Sequence, residues 1–463
     1  MVRTRIAPSP TGFPHIGTIY QVLFDYALAK KNNGQFVLRL EDTDRNRFVE
    51  GAEEVIYNAL EWFGLNPDES PLKSGPYAPY RQSERLDTYK KHAEELIAKG
   101  HAYYCFCTPE EIEVGRKEMQ QKTGTPMYNK RCRNLSEEEV KKKLDEKMPH
   151  VIRMKVPSDR KIAFNDLILG TIEFDSNVVD DQVILKTDGF PTYHLGVVVD
   201  DHLMKITHII RGREWIPSTP KHILLYEFFG WEVPVHAHLP LILNSDGKGK
   251  LSKRHGHASV EYYRSLGYLP EVVLNYLSNV VWYHPENKEI YPLQEFIELL
   301  DLKKINSAGA RFNLEKLDWM NGEYIRMMSD EELLKRLTDF IGEGFDPAIV
   351  KMTVPLVKER IKKLSDYIPL TEFLFKSPTT YEVVLSDRTQ ILEKTAENLS
   401  KLEKWEAAKI GDAMMATAQD LGVKNSEYFM TIRVAITGKK ISPPLNESME
   451  ILGKDESLER LQK

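Results

Sequence analysis

A chain of 463 residues is too long for one ordinary core, so about two to four domains are expected. With 41% hydrophobic and 29% charged residues it has the composition of a folded globular protein, which excludes a disordered chain. The net charge of −6 settles nothing about a nucleic-acid partner, because recognition depends on where basic residues cluster; three cysteines exclude a disulfide framework and point to a reducing cytoplasm, and the lack of any apolar run near 18 residues excludes a membrane-spanning helix.

The first element predicted is a strand over Val2–Ala7, with no secretory apolar stretch before it. Pro8 and Pro10 stop that strand and stiffen the turn behind it. From Thr18, the apolar residues Ile19, Val22, Leu23 and Tyr26 follow helical spacing, and Asn33-Gly34 ends the helix. Phe36–Glu41 is a second strand, which makes a strand–helix–strand unit long enough for a parallel crossover. The turn containing Gly12, His15 and Gly17 therefore lies at the carboxyl edge of the sheet, where open α/β folds bind ligands. A helix N-terminus offers unpaired amides and partial positive charge, which suits a phosphate, and a histidine there can donate to a phosphate oxygen. A tight turn with a surface histidine is the plainer alternative. Arg5 and Glu41, on neighbouring strands, are equally an ion pair between strands or two poles of a pocket for a charged metabolite.

Cys105-Phe-Cys107 and Cys132 make an incomplete zinc pattern, because structural zinc takes four ligands. Between them Thr108-Pro-Glu-Glu111 is a strong helix start. Val151–Val156, a run around Tyr193, Ile206–Ile210 ending at Arg211, and Leu239–Leu243 read as strands. A glycine-rich basic loop follows, Asn244–Gly256, carrying Lys248, Lys250, Lys253 and Arg254; it is either a solvated surface or a second phosphate site. Beyond it the pattern turns helical. Leu269–Leu277 and Lys316–Arg326 come first, then a capping box at Ser329–Glu332 with the stripe Leu333, Leu334, Leu337, Phe340 and Ile341. The helical pattern over Leu399–Leu421 carries Trp405 as a core anchor, and Arg433, Lys439 and Lys440 are candidate phosphate contacts.

The stretch Pro8–Thr18, PSPTGFPHIGT, resembles the His-Ile-Gly-His element of class I aminoacyl-tRNA synthetases, with Thr18 at its last position. Arg5-Ile-Ala-Pro-Ser-Pro-Thr-Gly12 resembles the glutamyl branch of that family. Leu40-Glu-Asp-Thr-Asp44, Tyr80–Arg85, Pro191–Leu195, Val199-Asp-Asp-His202 and Ile210–Trp215 match in order, and Lys250-Leu-Ser-Lys-Arg254 resembles the Lys-Met-Ser-Lys-Ser element. The resemblance implies an α/β fold: a split Rossmann-like nucleotide-binding domain with an α+β insertion, then all-α tRNA- and anticodon-binding parts. On this reading residues 1–100 and 189–256 are the two catalytic halves. Residues 101–188 form the insertion that holds the tRNA acceptor end, 257–322 contact the stem, and 323–463 read the anticodon.

By the same resemblance, glutamate is activated by ATP with Mg2+ bridging the phosphates, and is then joined to tRNA(Glu), with tRNA(Gln) as a second candidate. Arg5 and Tyr193 would hold the side-chain carboxylate, Arg211 the α-carboxylate and Glu41 the ammonium, with Ser9 lining the pocket. Gly12, His15, Gly17, Glu214, Lys250, Ser252, Lys253 and Arg254 would meet ATP, with His15 and Lys253 as the catalytic pair. Arg213 stands where the family commonly has an acidic residue, which would put an extra cation beside the nucleotide. Some glutamyl members carry a structural Zn2+ in the insertion. Here Asn134 occupies the place of a histidine ligand, which leaves Tyr128 or water beside Cys105, Cys107 and Cys132; three reduced, packed cysteines are the alternative. Family analogy also implies a monomer. A related nucleotidylyl transferase and a non-catalytic tRNA-binding protein are the competing readings. The long helical C-terminal part speaks against the first, and the presence of His15, Lys253, Arg5 and Glu41 against the second.

Overall fold

Strands β1 (Arg3–Ile6) and β2 (Gln35–Leu38) pair in parallel and are joined by helix α1 (Ile16–Lys31), the crossover that the first forty residues predict. The computed structural model of the protein describes residues 1–12, 14–44, 49–247, 249, 251 and 258–462. It divides into two units, Met1–Val260 with Leu274–Phe312, and Glu261–Val273 with Asn313–Lys463.

In the first unit α1 is apolar on most sides. Ile16, Ile19, Val22, Leu23, Phe24 and Ala27 are all buried, as expected of a helix enclosed by its sheet and neighbours. The helix starts two residues earlier than Thr18, because His15 serves as its N-cap and its ring accepts from the Gly17 amide. Helices α2 (Ala52–Trp62) and α3 (Leu86–Ala98) follow. Strand β3 (Ala102–Cys105) opens the inserted region and leads into α4 (Pro109–Thr123). The expected start of α4 is present in full: the Thr108 hydroxyl accepts from the Glu111 amide, and the Glu111 carboxylate accepts from the Thr108 amide. After α5 (Glu137–Asp145) come β4 (Val151–Met154), the hairpin β5 (Lys161–Asp166) and β6 (Gly170–Asp175), and β7 (Val183–Leu185).

The residues around Tyr193 are not a strand. Tyr193 is the first residue of helix α6 (Tyr193–Leu203). Val197, Val198 and Val199 favour a strand locally, but α6 packs them into the core shared with α3 and with α7 (Thr219–Phe229), and burial outweighs propensity. Strands β8 (His208–Gly212) and β9 (Val235–Leu239) then pair in parallel. The order in this sheet is β6-β5-β9-β8, with β5 meeting β9 through the pair Asp166 and His236. The Thr207 amide donates to the Arg3 carbonyl at 3.0 Å, which places β1 beside the start of β8. A separate antiparallel sheet, β3-β4-β7, carries the rest of the insertion.

The second unit is helical. Ser329 caps the helix Asp330–Ile341 by accepting from the Glu332 amide, while the Glu332 carboxylate turns to Arg336. The segment Leu399–Leu421 is not one helix but parts of two, Thr389–Ser400 and Ala407–Asp420. Trp405 lies in the break, where it packs on the core of Leu399, Ile410, Met414, Tyr428 and Met449 and donates its indole N–H to the Met449 carbonyl at 2.8 Å. Arg433 and Lys439 donate to Ser442 and Pro443 and to Pro369, so the fold uses these two cations itself. The α/β fold with an insertion and a helical C-terminal part is the architecture that the predicted elements require.

Candidate active site

A cavity of about 850 Å³ opens where β1 ends, α1 and α6 begin and β8 ends. Arg5, Ser9, Gly12, His15, Gly17, Glu41, Tyr193, Arg211 and Glu214 all line it, and so does Leu251 of the basic loop. Lys250, Ser252, Lys253 and Arg254 lie outside the described residues.

At one end is a buried charge network. Arg5 does not pair with Glu41; its Nε donates to both carboxylate oxygens of Asp201, at 3.1 and 3.2 Å. The register explains this: Arg5 stands opposite Val37, not beside Glu41. Asp201 comes from α6 and also accepts from Arg39 Nη1 at 2.7 Å. Arg39 in turn donates through Nη2 to Glu41 at 3.0 Å. Burial alone would push the Asp201 carboxyl up, but Arg5 and Arg39 beside it hold it below its ordinary value. Burial prevails at Glu41, whose carboxyl is pushed up to about 7 despite Arg39 and Arg5. Asp200, next in the chain, faces away from the cavity and takes Arg85, Gln82 and Tyr89.

Arg211 is different. It is 3% exposed, and its partners are all neutral: His238 for Nε at 3.1 Å, Thr219 for Nη2 at 2.8 Å, and the Tyr193 hydroxyl for Nη1 at 3.0 Å, with His222 more distant at 3.4 Å. Burial lowers its pKa, although the Tyr193 oxygen works the other way. His222 is driven well below its ordinary value by burial and by Arg211, and its neighbour His194 is pushed down to about 3 by burial, Lys221 and Arg211. Among the described residues Arg211 has no carboxylate partner, so a buried cation faces the cavity without its counter-charge. The rings of Tyr193 and Trp215, 4.8 Å apart, form the wall beside it.

The turn at the start of α1, which also lines the cavity, suits phosphate. Because His15 Nδ1 accepts from the Gly17 amide at 2.9 Å, the proton of the neutral ring is on Nε2, a donor. A Cβ at Gly17 would lie 3.0 Å from that ring, and Gly12 has φ of 140°, so both positions depend on glycine. The Glu214 carboxylate folds back over Gly212, where a Cβ would lie 2.0 Å from its oxygen. Arg213 does not line the cavity; it is exposed and donates to the Ser307 carbonyl.

The cysteines meet within the insertion. The sulfurs of Cys105, Cys107 and Cys132 lie within 4.8 Å of one another, and the Tyr128 hydroxyl is 3.3 Å from two of them. The Arg153 guanidinium lies 4.0 Å over the Tyr128 ring. Bonds from Cys132 and Tyr128 hold the Cys105 thiol down to about 4 against its burial. Asn134 is exposed and is not part of this group.

Sequence reasoning missed Arg39, Asp201, His238 and Thr219. The pair Asp200-Asp201 was visible as an anomaly, two adjacent acids in an otherwise apolar helix, and buried acids need cations. The others carry no local signal.

Comparison with known proteins identifies the family. Residues 1–319 match the family model described as tRNA synthetases class I (E and Q), catalytic domain, and residues 332–463 match an anticodon binding domain. The chain is 44% identical to a glutamate–tRNA ligase of Acinetobacter baumannii over 468 residues, covering 99% of this chain and 92% of that protein. It is also 44% identical to that of Acidothermus cellulolyticus over 481 residues, covering 100% and 95%. A crystal structure of a glutamate tRNA ligase from Elizabethkingia meningosepticum in complex with its amino acid has a TM-score of 0.89 at 40% identity, covering 99% of this chain and 98% of that one. The chain therefore belongs to the glutamate–tRNA ligase family of class I aminoacyl-tRNA synthetases, which attach glutamate to tRNA using ATP.

Proposed function

We propose that Arg211 and Arg5 hold the two carboxylates of glutamate, with Glu41 taking its ammonium, and that His15 and the loop of Lys253 hold the ATP phosphates. The observation that carries this is the buried Arg211, which lines the cavity with only neutral partners. A guanidinium so placed binds a carboxylate strongly, because both charges gain a partner away from water. Arg5 complements it: its Nε edge is taken by Asp201, and its two terminal nitrogens have no partner among the described residues. Tyr193 donates to whichever carboxylate oxygen approaches Arg211. Glutamine, lacking the second negative charge, would leave Arg5 poorly matched.

With the amino acid so oriented, one carboxylate oxygen attacks the α-phosphorus of ATP. The bond to the bridging oxygen breaks, and diphosphate leaves with the electron pair. Charge gathers on phosphate oxygens, where the positive end of the α1 dipole, the Nε2–H of His15 and the ammonium of Lys253 stabilise it. Mg2+, when bound with ATP, would add positive charge to the phosphates and would need few protein ligands. A terminal ribose hydroxyl of tRNA(Glu) then attacks the mixed anhydride, and AMP leaves. No nucleophile of the protein is required, since positioning two reactants supplies much of the acceleration. ATP–diphosphate exchange with glutamate, run with and without tRNA, tests the reading: Arg211→Ala should abolish glutamate-dependent exchange, and exchange at the normal glutamate KM would overturn the assignment.

The donor set of the insertion fits zinc. Ligands about 2.3 Å from a tetrahedral ion stand about 3.8 Å apart. The Cys107 and Cys132 sulfurs are 3.4 Å apart, and Tyr128 supplies an oxygen at similar distance. Cys105, Cys107, Cys132 and Tyr128 would hold a structural ion that ties the segment after α4 to the end of β3. The three unbonded thiols also suit a reducing cytoplasm.

A further inference from the structure

The orientation of Arg211 is set by residues that do not line the cavity. Asp166 is the last residue of β5, the inserted strand that meets β9. Its Oδ1 accepts from the amides of Ile168 and Leu169, each at 3.0 Å. Its Oδ2 accepts from the His238 backbone amide at 3.0 Å and lies 2.7 Å from His238 Nδ1. An oxygen already receiving an amide proton, on a carboxylate with three such amide donors, is an acceptor. Nδ1 of His238 therefore carries a hydrogen.

The other ring nitrogen is constrained from the opposite side. His238 Nε2 lies 3.1 Å from Nε of Arg211, and a guanidinium Nε always carries its hydrogen. Nε2 must offer a lone pair. Protonation of the ring, or the alternative tautomer, would set two N–H groups head to head in a site with no exposure. Thr219 is the further polar partner of Nε2 among the described residues, at 3.4 Å, and its hydroxyl also has the Trp215 carbonyl to donate to.

We propose that Asp166 and His238 are positioning residues for glutamate recognition: the carboxylate fixes the imidazole as its Nδ1–H tautomer, and the lone pair on Nε2 holds the Nε edge of Arg211 so that its outer face meets the substrate carboxylate. This rests on Arg211 as a carboxylate-binding residue. The arrangement repeats the logic at Arg5, whose Nε edge is held by Asp201. At Arg211, however, the holder is neutral, so the positive charge is left for the ligand. Burial pulls the His238 pKa down, which keeps the ring neutral, although Asp166 opposes this.

The experiment uses the full chain and glutamate-dependent ATP–diphosphate exchange with tRNA present. His238→Gln keeps an amide oxygen near the Nε2 position, whereas His238→Asn keeps a donor for Asp166 but offers Arg211 nothing. The expected result is a glutamate KM within about threefold of normal for His238→Gln and raised about tenfold or more for His238→Asn, with ATP KM unchanged in both. Asp166→Asn should resemble His238→Asn, because its amide must point N–H groups at other N–H groups. Nitrogen-15 NMR of the unaltered protein, labelled at histidine, should show a buried ring as the Nδ1–H tautomer, and His238→Gln should remove that signal. If Arg211→Lys leaves the glutamate KM unchanged, the underlying reading of Arg211 fails. If Arg211→Lys raises it and His238→Asn does not, or if the ring is found protonated or as the Nε2–H tautomer, the positioning role alone is overturned.

Discussion

Asp201 holds Arg5 by its edge: both carboxylate oxygens take the single Nε–H, at 3.1 and 3.2 Å, and one of them also takes Arg39 at 2.7 Å. One buried acid from α6 thus serves two arginines, Arg5 of β1 and Arg39 just past the end of β2, and it holds the edge of Arg5. Removing either end of this relationship has different consequences. Arg5→Ala leaves Asp201 paired with Arg39, so it should abolish glutamate activation while the urea unfolding midpoint changes little.

Asp201→Asn leaves two buried guanidinium groups without the charge they share. Breaking a buried pair in this way costs about 3–5 kcal/mol. The expected outcome is a clearly lower unfolding midpoint together with a glutamate KM raised at least about tenfold. A variant with normal KM would mean that Arg5 finds its orientation without Asp201.

On the proposed binding mode, Glu41 should make glutamate binding depend on pH. Its carboxyl is raised to about 7 by burial, with Arg39 and Arg5 pulling down and Asp201 pushing up; Tyr193 is a further ionisable neighbour. The substrate ammonium requires the ionised form. Below pH 7 binding must therefore displace a proton, so KM for glutamate should rise about tenfold per pH unit as pH falls, and should flatten above pH 7. Glu41→Gln should weaken binding at every pH and remove the slope. Titrating KM from pH 5.5 to 8.5, at about fixed ionic strength, checks both.

Tyr193→Phe deletes one hydroxyl, which accepts from Arg211 Nη1. A hydrogen bond to a charged group is worth about 1.5–3 kcal/mol, so the glutamate KM should rise about tenfold or more while the fold and the ATP KM are retained. Parallel saturation curves for both substrates separate this from a general loss of activity.

Metal content tests the cysteine cluster independently of catalysis. Protein purified without chelator should contain about one zinc per chain, and Cys132→Ser should lose it along with stability of the insertion. Tyr128→Phe should weaken the metal without unfolding the module, read as faster release to a chelating dye. Clearly less than one zinc per chain in the unaltered protein would leave the three thiols as ordinary packed cysteines.

The backbone frame was largely readable because it depends on local rules. Proline and glycine placed the turn before α1, apolar spacing placed α1, and Thr108 with Glu111 placed α4. Reading failed where long-range packing prevailed over local preference. Tyr193 begins a helix because α3 and α7 bury three consecutive valines that would otherwise favour a strand. The helix through Trp405 breaks because its indole finds an acceptor at Met449, 44 residues away. The site divides the same way. Arg5, Glu41 and Arg211 were accessible as charges at strand ends, whereas their holders come from distant segments: Asp201 lies 196 residues from Arg5, and His238 lies 27 from Arg211.

The meeting of β5 with β9 has a consequence for any attempt to rebuild this enzyme. The inserted region has the look of a removable module, yet its strand supplies Asp166 to His238 behind the amino acid pocket. A chimera that takes another relative's insertion would, unless the donor carries an aspartate at the Asp166 position, also release His238. A donor insertion should therefore be chosen for an aspartate at that position, since β5 belongs to the β6-β5-β9-β8 sheet as well as to the module.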